Sequence, residues 1–204
     1  MHESPGIDAI TAKLVTTYGS QEPKHWGTIR RYSEGGPDPL DGISAYSAEK
    51  PAHWHYVTFG FSELGEKRSA DAEVSGWGFE LSFRLQRRPG EKAPPEWPVF
   101  TLQNLARYVF NTKTPFDHEH YLRWGGPITK DEETMLEALV FSHDPVLGQI
   151  DTPNGRVQFL EVIGITADEH DFAAEEGPEV LLGRLLPNNP LGVVDLDRGS
   201  ILAA

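Results

Sequence analysis

The most regular alternation of apolar and polar positions covers residues 77–85, WGFELSFRL. Apolar side chains occupy every second position of this segment, namely Trp77, Phe79, Leu81, Phe83 and Leu85. The residues between them are Gly78, Glu80, Ser82 and Arg84. Because successive side chains of a β-strand point to opposite faces, this period of two predicts a strand.

Two further segments predict strands that are covered on both faces. Residues 53–61, HWHYVTFGF, place His55, Val57, Phe59 and Phe61 on one side and Trp54, Tyr56 and Thr58 on the other. Residues 156–166, RVQFLEVIGIT, are apolar on both sides, which is typical of a central strand. The run VVDL at 193–196 predicts a last short strand, whereas the apolar run from Met135 to Phe141 fits either a strand or a helix.

Apolar residues spaced three and four apart predict the helices. Ser4 and Pro5 begin one N-capped amphipathic helix, Gly19 can end it, and its apolar residues are Ile7, Ile10, Leu14 and Tyr18. Pro98 opens a second helix with one broad face formed by Val99, Leu102, Leu105, Ala106 and Val109. A helical pair is predicted at about 168–176 and 178–186, and the Gly- and Pro-rich residues 35–42 predict a shaped loop.

Strands and helices intermingle without the regular spacing of repeated βαβ units, so the predicted class is α+β, with a mixed sheet and flanking helices. The chain of 204 residues fits one domain, 1–204, which buries roughly 70% of the surface of its unfolded chain. There is no internal repeat and no low-complexity linker.

The composition limits the cellular locations and the kinds of partner that are expected. The chain has no cysteine, no signal-peptide pattern and no apolar run as long as a membrane helix, so a cytoplasmic location is expected. The 31 acidic residues exceed the 18 basic ones and give a formal net charge of −13. This charge disfavours nucleic acid and anionic membranes and favours a basic partner.

Candidate metal ligands occur as two His-x-His pairs. His53 and His55 lie on the predicted strand and project from one face, and a second pair is His118 and His120. Asp117 and Glu119 are placed to orient imidazole rings. Nothing in the sequence brings the two pairs together, so histidines that hydrogen-bond or line a surface are the simpler interpretation.

Signatures of other chemistry are missing from the sequence. There is no G-x-S-x-G elbow for a nucleophilic serine. Gly76-Trp77-Gly78 lacks a third glycine and leads into a strand, whereas a dinucleotide fingerprint opens a helix. We therefore predict no enzymatic activity, no resident metal and no cofactor.

Several long segments rich in Trp, Pro and Gly resemble the N-terminal domain of the Suppressor of fused family. They are GGPDPLDGISAY (35–46), HWHYVTFGFSEL (53–64), GWGFELSFRL (76–85), EKAPPEWPVFTLQNLARYVF (91–110), HDP (143–145), TPNGRVQFLEVIGIT (152–166) and DLDRGSIL (195–202). The resemblance covers at least residues 30–202. It implies an α+β fold with a mixed sheet and gives the HWHY segment a structural role rather than a metal or catalytic one.

The resemblance also implies a set of partner-binding residues. In the animal proteins a peptide adds as a strand between this domain and a C-terminal domain, and the corresponding positions here are Arg107, Tyr108, Phe116 and Asp144. The family's acid beside Asp144 is replaced by His143, and a further acidic position aligns with Glu119 or His120. Two alternatives remain open from the residues themselves: Tyr108 also fits a helix position that faces the core, and Asp144-Pro145 also fits a turn.

The sequence thus predicts a non-catalytic domain that binds a protein or an extended peptide. The chain ends where the family's first domain ends, and this short form resembles the bacterial branch, whose members are linked with toxin systems as immunity proteins. The resemblance therefore implies an acidic inhibitor of a basic toxin. Two alternatives are a metal-dependent enzyme or binder that uses His53/His55 and His118/His120, and a regulatory scaffold.

Overall fold

The computed structural model describes residues 4–30 and 32–203, with only the backbone of Ser33. The elements in chain order are α1 (Pro5–Tyr18), β1 (Lys24–Gly27), a short 3₁₀ helix (Tyr32–Glu34), β2 (Gly42–Glu49), β3 (Ala52–Phe59), β4 (Val74–Gln86), α2 (Trp97–Thr112), β5 (Tyr121–Arg123), β6 (Leu136–His143), β7 (Gln149–Thr152), β8 (Gly155–Thr166), α3 (Ala167–Glu176) and α4 (Pro178–Leu185). Among these helices, none combines the length and the apolar character that a membrane crossing requires.

The strands form one mixed sheet in the order β1-β2-β3-β4-β8-β6-β5, and β7 pairs with β8 outside this path. The β4–β8 pair is parallel, and the other pairs are antiparallel. Val162 on β8 has Phe83 of β4 as its partner on one side and Phe141 of β6 on the other. The predicted α+β class with a mixed sheet is confirmed.

Helices cover both faces of the sheet. On one face α2 packs its residues Leu102, Leu105, Ala106 and Val109 against the aromatic side chains of the central strands. The opposite face is divided between α1, which packs on Val57, Phe59 and Phe159, and the pair α3 and α4, which packs on Ala138, Val140, Ile163 and Ile165. Burial of apolar side chains on both faces explains the near-continuous apolar runs of β3 and β8.

Most predicted elements are present, with corrections at the ends of strands. Phe61 lies beyond β3, because Gly60 turns the chain with a φ of 136°, and its ring packs on the α2 side, so its predicted grouping with Val57 and Phe59 is wrong. The predicted strand VVDL is reduced to one bridge, between Val194 and Leu85. The ambiguous run after Met135 is the strand β6.

The start of α1 differs in detail from the predicted N-cap. The Ser4 side chain makes no capping hydrogen bond. Instead the Leu64 carbonyl accepts the backbone N–H groups of Gly6 and Ile7, at 2.9 and 3.2 Å. A neighbouring loop therefore satisfies donors that a helix leaves free at its first turn.

The polar side of β4 is buried as completely as its apolar side. Glu80, Ser82 and Arg84 are all at most 1% exposed. Glu80 accepts hydrogen bonds from the hydroxyls of Thr58 and Ser62, both at 2.6 Å, and from the N–H groups of Gly60 and Ser62, both at 2.9 Å. Burial raises the pKa of Glu80 to about 7 even though these hydrogen bonds lower it. The carboxyl group thus fixes the turn that delivers Phe61 to the core.

Candidate functional site

Three aromatic rings form a stacked column from the surface into the core. The Tyr108 ring on α2 lies 5.6 Å from the Phe116 ring at an interplanar angle of 17°, and the Phe116 ring lies 4.3 Å from the Phe141 ring at 16°. Tyr108 is 47% exposed, whereas Phe116 is 7% exposed. Lys113 ends α2 in the left-handed conformation, and the chain then turns back towards Phe116. Tyr108 is therefore a surface residue and does not face the core.

A stacked pair of histidines lies beside this column. The rings of His118 and His143 are 4.3 Å apart and 15° from parallel. The loop that carries His118 is tied to β6, because the N–H of Glu119 donates to the Phe141 carbonyl at 2.9 Å and the N–H of Phe141 donates to the His120 carbonyl at 2.8 Å. Burial lowers the pKa of His118, and the neighbouring His143 lowers it further.

We call this region the docking surface and define it by Tyr108, Phe116, His118, Glu119 and His143. Phe116 forms its floor, and the other four side chains are exposed or half-buried. Glu119 has a φ of 68°, a conformation that non-glycine residues seldom adopt. Its carboxylate lies 3.4 Å from His118 Nε2.

An irregularity in the pairing of β4 and β8 lies next to the docking surface. The β4–β8 ladder is interrupted between Val74 and Phe79. A cavity of about 290 Å³ lies beside this interruption, and its walls include Trp77, Phe79, Phe116, His120 and Leu160. Asp117 and Gln158 also line it, so the floor of the docking surface is continuous with a depression of mixed polar and apolar character that is large enough for a side chain.

Arg107 lies apart from the docking surface. Its Nη1 donates to the Asn104 side chain at 2.6 Å, its Nε donates to the Pro37 carbonyl at 3.2 Å, and its Nη2 pairs with the Asp38 carboxylate. These contacts hold the loop of residues 35–42 against α2. The guanidinium of Arg107 is therefore engaged in bonds within the chain.

Asp144 is 1% exposed, although it follows the exposed His143. Its Oδ1 accepts the N–H groups of Val146 and Leu147, at 2.8 and 2.7 Å, and its two oxygens lie 2.9 and 3.0 Å from the nearest guanidinium nitrogens of Arg84. Burial on its own raises the pKa of Asp144, but the neighbouring His55 and Arg84 outweigh it and hold the pKa far below the usual range. Asp144 therefore fixes a turn, as the alternative interpretation of Asp144-Pro145 proposed.

Asp144 belongs to a buried polar cluster, which we define as Tyr18, His55, Ser82, Arg84, Asp144 and Glu161. Tyr18 is partly exposed, and the other five residues are at most 1% exposed. Arg84 donates its backbone N–H to Glu161 at 3.0 Å and pairs its Nη1 with the same carboxyl group. The cluster joins α1, β3, β4 and β8 to the turn after β6.

The Ser82 hydroxyl lies between the two carboxyl groups of the cluster. The Ser82 hydroxyl oxygen lies 2.6 Å from Asp144 Oδ2 and 2.7 Å from Glu161 Oε2. A hydroxyl has one hydrogen, so both contacts are hydrogen bonds only when one carboxyl group is protonated. Burial raises the pKa of Glu161 well above its usual value. Of the two acids, Glu161 is therefore the one that burial favours in its protonated form, whereas Arg84 and His55 favour the ionised form of Asp144.

The fit of the cluster to a metal ion is poor. Within the described ranges, one group of three ligating side chains has its atoms close together, namely His55, Asp144 and Glu161, within 4.8 Å of one another. The guanidinium of Arg84 already lies against both carboxyl groups, so an added cation meets a buried positive charge. His118 and His120 do not belong to this group. His53 donates its Nδ1–H to the Pro51 carbonyl at 2.7 Å, just before the start of its own strand.

The comparisons with known proteins agree on one family. The model of the Suppressor of fused protein family matches residues 36–199. The human Suppressor of fused homolog is 37% identical over 213 residues, which cover 97% of this chain and 44% of the human protein. A chain of the Sufu-Fu complex crystal structure has a TM-score of 0.91 and 31% identity, over 98% of this chain and 94% of that chain.

A bacterial structure is more distant. The crystal structure of a SUFU homolog from Neisseria gonorrhoeae has a TM-score of 0.65 and 17% identity, over 96% of each chain, and this likeness concerns the fold alone. The present chain belongs to the Suppressor of fused family. It spans less than half the length of the curated human relative.

The sequence analysis missed the buried polar cluster as a unit. Arg84 and Glu161 are charged residues within runs of apolar strand residues, and this pattern is the available signal. Charged side chains are seldom buried unless they are paired, so a cation in one central strand and an acid in another indicate a buried pair. The sequence does not reveal that β4 and β8 are neighbours. Without that adjacency, Arg84 could not be paired with Glu161.

Proposed function

We propose that this chain is a non-catalytic protein-binding domain, and that the docking surface receives an extended segment of a partner protein. The observation that carries the proposal is the exposed face of Tyr108, whose ring is held by stacking on the buried Phe116. An aromatic ring whose orientation is already fixed loses little entropy on binding. Such rings are common energetic centres of protein interfaces.

The surroundings of Tyr108 favour a polypeptide partner. The cavity beside Phe116 offers a depression with an aromatic wall for one side chain, while Glu119, His118 and His143 offer polar groups around it. A binding site of this kind selects a partner by apolar fit at its centre and by hydrogen bonds at its rim. A chain that is 31% identical to this one was crystallised in a Sufu-Fu complex, which adds support for a protein partner.

Arg107 and Asp144 take indirect roles in this proposal. Arg107 fixes the loop of residues 35–42, and Asp144 fixes the turn after His143, so both shape the backbone around the docking surface. Their charged groups are occupied by internal partners. We therefore assign direct contact with a partner to Tyr108, Phe116, Glu119 and His143.

A narrower proposal concerns the identity of the partner. The net charge of −13 speeds association with a basic protein, because complementary charges steer the encounter. An immunity protein that occludes a basic toxin in the cytoplasm fits this charge. Loss of viability on deletion of this gene, restored by deletion of a neighbouring toxin gene, is the expected result. Unchanged growth beside an active toxin gene would favour a regulatory scaffold.

The experiment for the docking surface compares two aromatic residues of α2. Tyr108→Ser removes the proposed anchor, and Phe100→Ser removes another exposed ring, 63% exposed, from the same helix. A partner is first captured on the wild-type chain and identified, and its affinity for both variants is then measured by calorimetry. We expect Tyr108→Ser to weaken binding at least about tenfold and Phe100→Ser to leave it within about twofold. Equal losses, or a loss for Phe100→Ser alone, would place the interface elsewhere.

A further inference from the structure

The turn after β6, residues 144–148, lies between α1 and the docking surface. Its first residue, Asp144, enters the buried polar cluster, and it directly follows His143 of the docking surface. Its fourth residue, Leu147, packs in the apolar cluster beneath α1 together with Ile10 and Leu14. The turn is therefore held from the α1 side by an apolar contact and by a polar one.

The polar connection runs through two side chains. The Tyr18 hydroxyl, at the last residue of α1, hydrogen-bonds His55 Nδ1. On the other side of the ring, His55 Nε2 lies 3.3 Å from Asp144 Oδ2. Burial, strengthened by the charge of Arg84, lowers the pKa of His55 to about 4, so the ring is neutral at pH 7.

Because the ring is neutral, one of its nitrogens carries a hydrogen and the other accepts one. Burial raises the pKa of Tyr18, so its hydroxyl keeps its proton and donates it to Nδ1. The hydrogen of the neutral imidazole is then on Nε2, which faces the ionised Asp144. The contact between Nε2 and the carboxylate, at 3.3 Å, does not meet hydrogen-bond geometry, so the Tyr18 hydroxyl is the hydrogen bond that orients the ring. Removal of this hydroxyl leaves the buried Nδ1 without its donor, and the ring is then free to move relative to the carboxylate.

The backbone of the turn is hydrogen-bonded to the carboxylate of Asp144, so the position of one depends on the position of the other. Oδ1 accepts the N–H groups of Val146 and Leu147, and the Asp144 carbonyl accepts the N–H of Gly148 at 2.9 Å. A shift of this carboxylate therefore weakens the hydrogen bonds that close the turn. His143 is the next residue back along the chain.

We propose that Tyr18 is a positioning residue for the docking surface, and that it couples α1 to His143 through His55 and Asp144. Coupling between two sites is reciprocal, so a partner at the docking surface also strengthens the attachment of α1. The proposal rests on the proposed function only for the role of His143. The coupling itself is measurable without a partner.

The experiment uses the full chain and two conservative variants. Tyr18→Phe removes one hydroxyl group that contacts His55. Tyr46→Phe is the matched control, because its ring stacks on Tyr18 at 4.5 Å, while its hydroxyl hydrogen-bonds no other described residue. Amide hydrogen exchange is followed by NMR at Val146 and Leu147, and at Ile163 on β8 as a reference for global opening.

We expect Tyr18→Phe to speed exchange at Val146 and Leu147 about fivefold to tenfold, which corresponds to the loss of one hydrogen bond. Exchange at Ile163 should change by less than about twofold, and Tyr46→Phe should leave the turn within about twofold of the wild type. Unchanged exchange at the turn, an equal effect of Tyr46→Phe, or a uniform increase along the chain would overturn the proposal.

The imidazole signals of the docking surface give a second measurement. The rings of His118 and His143 stack nearly parallel, so each shifts the resonances of the other. We expect Tyr18→Phe to move these ring resonances and Tyr46→Phe to leave them in place. Ring resonances that stay unchanged in Tyr18→Phe would show that the coupling ends at the turn and would refute a positioning role for the docking surface.

Discussion

His143 and Asp144 are neighbours in the chain and belong to opposite environments. His143 is exposed and stacks on His118 in the docking surface. Asp144 is 1% exposed and bonds to Ser82, Arg84 and its own turn in the buried polar cluster. The backbone of one short turn therefore connects a region exposed to solvent with a region closed to it.

The difference shows how folding and binding are divided between the two regions. A buried charge that loses its partner is left without solvation, so substitutions in the cluster act mainly on the free energy of unfolding. Exposed side chains with few internal bonds contribute little to that free energy. Residues of the docking surface are therefore free to serve binding, and four predictions test this division.

The largest effect is expected when a charge is removed from the cluster. Asp144→Asn keeps the size of the side chain and leaves the guanidinium of Arg84 with Glu161 as its remaining acidic neighbour. We expect the free energy of unfolding in urea to fall by about 3–5 kcal/mol. A loss under about 1 kcal/mol would show that the cluster is not the stabilising region.

Glu80 provides a second buried carboxyl group, whose effect depends on pH. Its pKa is raised from 4.5 to about 7, so the folded chain binds a proton that the unfolded chain releases between these values. Stability contributed by this proton is therefore present at low pH and is lost as the pH rises from 4.5 to 7. We expect a loss on the order of 2–3 kcal/mol over this range in the wild type, relative to Glu80→Gln.

Glu80→Gln is the necessary reference, because His55 acts in the opposite direction. The lowered pKa of His55, about 4, makes its contribution rise between pH 4 and 6.5. Unfolding curves of the two proteins measured across this range isolate Glu80 by difference. Parallel curves, with a constant separation at all pH values, would contradict the raised pKa of Glu80.

A smaller effect on folding is expected at the docking surface. Tyr108→Ser removes one ring from the aromatic column, whose stacking contributes roughly 0.5–1.5 kcal/mol. We expect the free energy of unfolding to fall by no more than about 1.5 kcal/mol, while affinity for a captured partner falls at least about tenfold. A Tyr108→Ser chain that unfolds readily but binds normally when folded would show that Tyr108 serves folding rather than binding.

The smallest effect concerns the stacked histidines. Burial and the neighbouring His143 both lower the pKa of His118. His143→Ala removes the second of these causes, so we expect the pKa of His118 to rise, with almost no change in the free energy of unfolding. NMR titration of the His118 ring measures the shift, and His120→Ala is the control. An unchanged or lower pKa in His143→Ala would contradict the stacked arrangement.

The fold was predictable where the chain has a strong periodic signal. Residues 77–85 and 156–166 lie within β4 and β8, and the helix predicted from Pro98 is α2. The strands β1, β5 and β7 have four residues or fewer, and that is too short for a pattern of alternation to appear. Their existence depends on neighbouring strands that supply hydrogen bonds.

The two His-x-His pairs show where sequence reasoning reached its limit. Both have the spacing of metal ligands, but His53 and His55 are buried on β3, whereas His118 and His120 lie in a loop at the surface. The same pattern therefore has two structural meanings. The exposure of the rings and the position of Arg84 decide between them, and both arise from tertiary packing.

The site residues divide in a similar way. The pattern LARYVF places Arg107 and Tyr108 side by side, but a helix turns by about 100° per residue, so their side chains point to different neighbours. Tyr108 reaches Phe116, and Arg107 reaches Asp38. Alternation in β4 likewise predicted which residues share a face, but it did not show that Asp144, from the turn after β6, lies against the polar face.

Photo-crosslinking from α2 tests the central claim most directly. Benzoylphenylalanine replaces Tyr108 in one protein and Phe100 in another, and each is irradiated in an extract from cells of the source organism. We predict that position 108 crosslinks to a polypeptide, that excess unlabelled wild-type chain prevents this, and that position 100 gives no crosslink that the same competitor removes. Specific crosslinks from position 100 and none from position 108 would contradict the account.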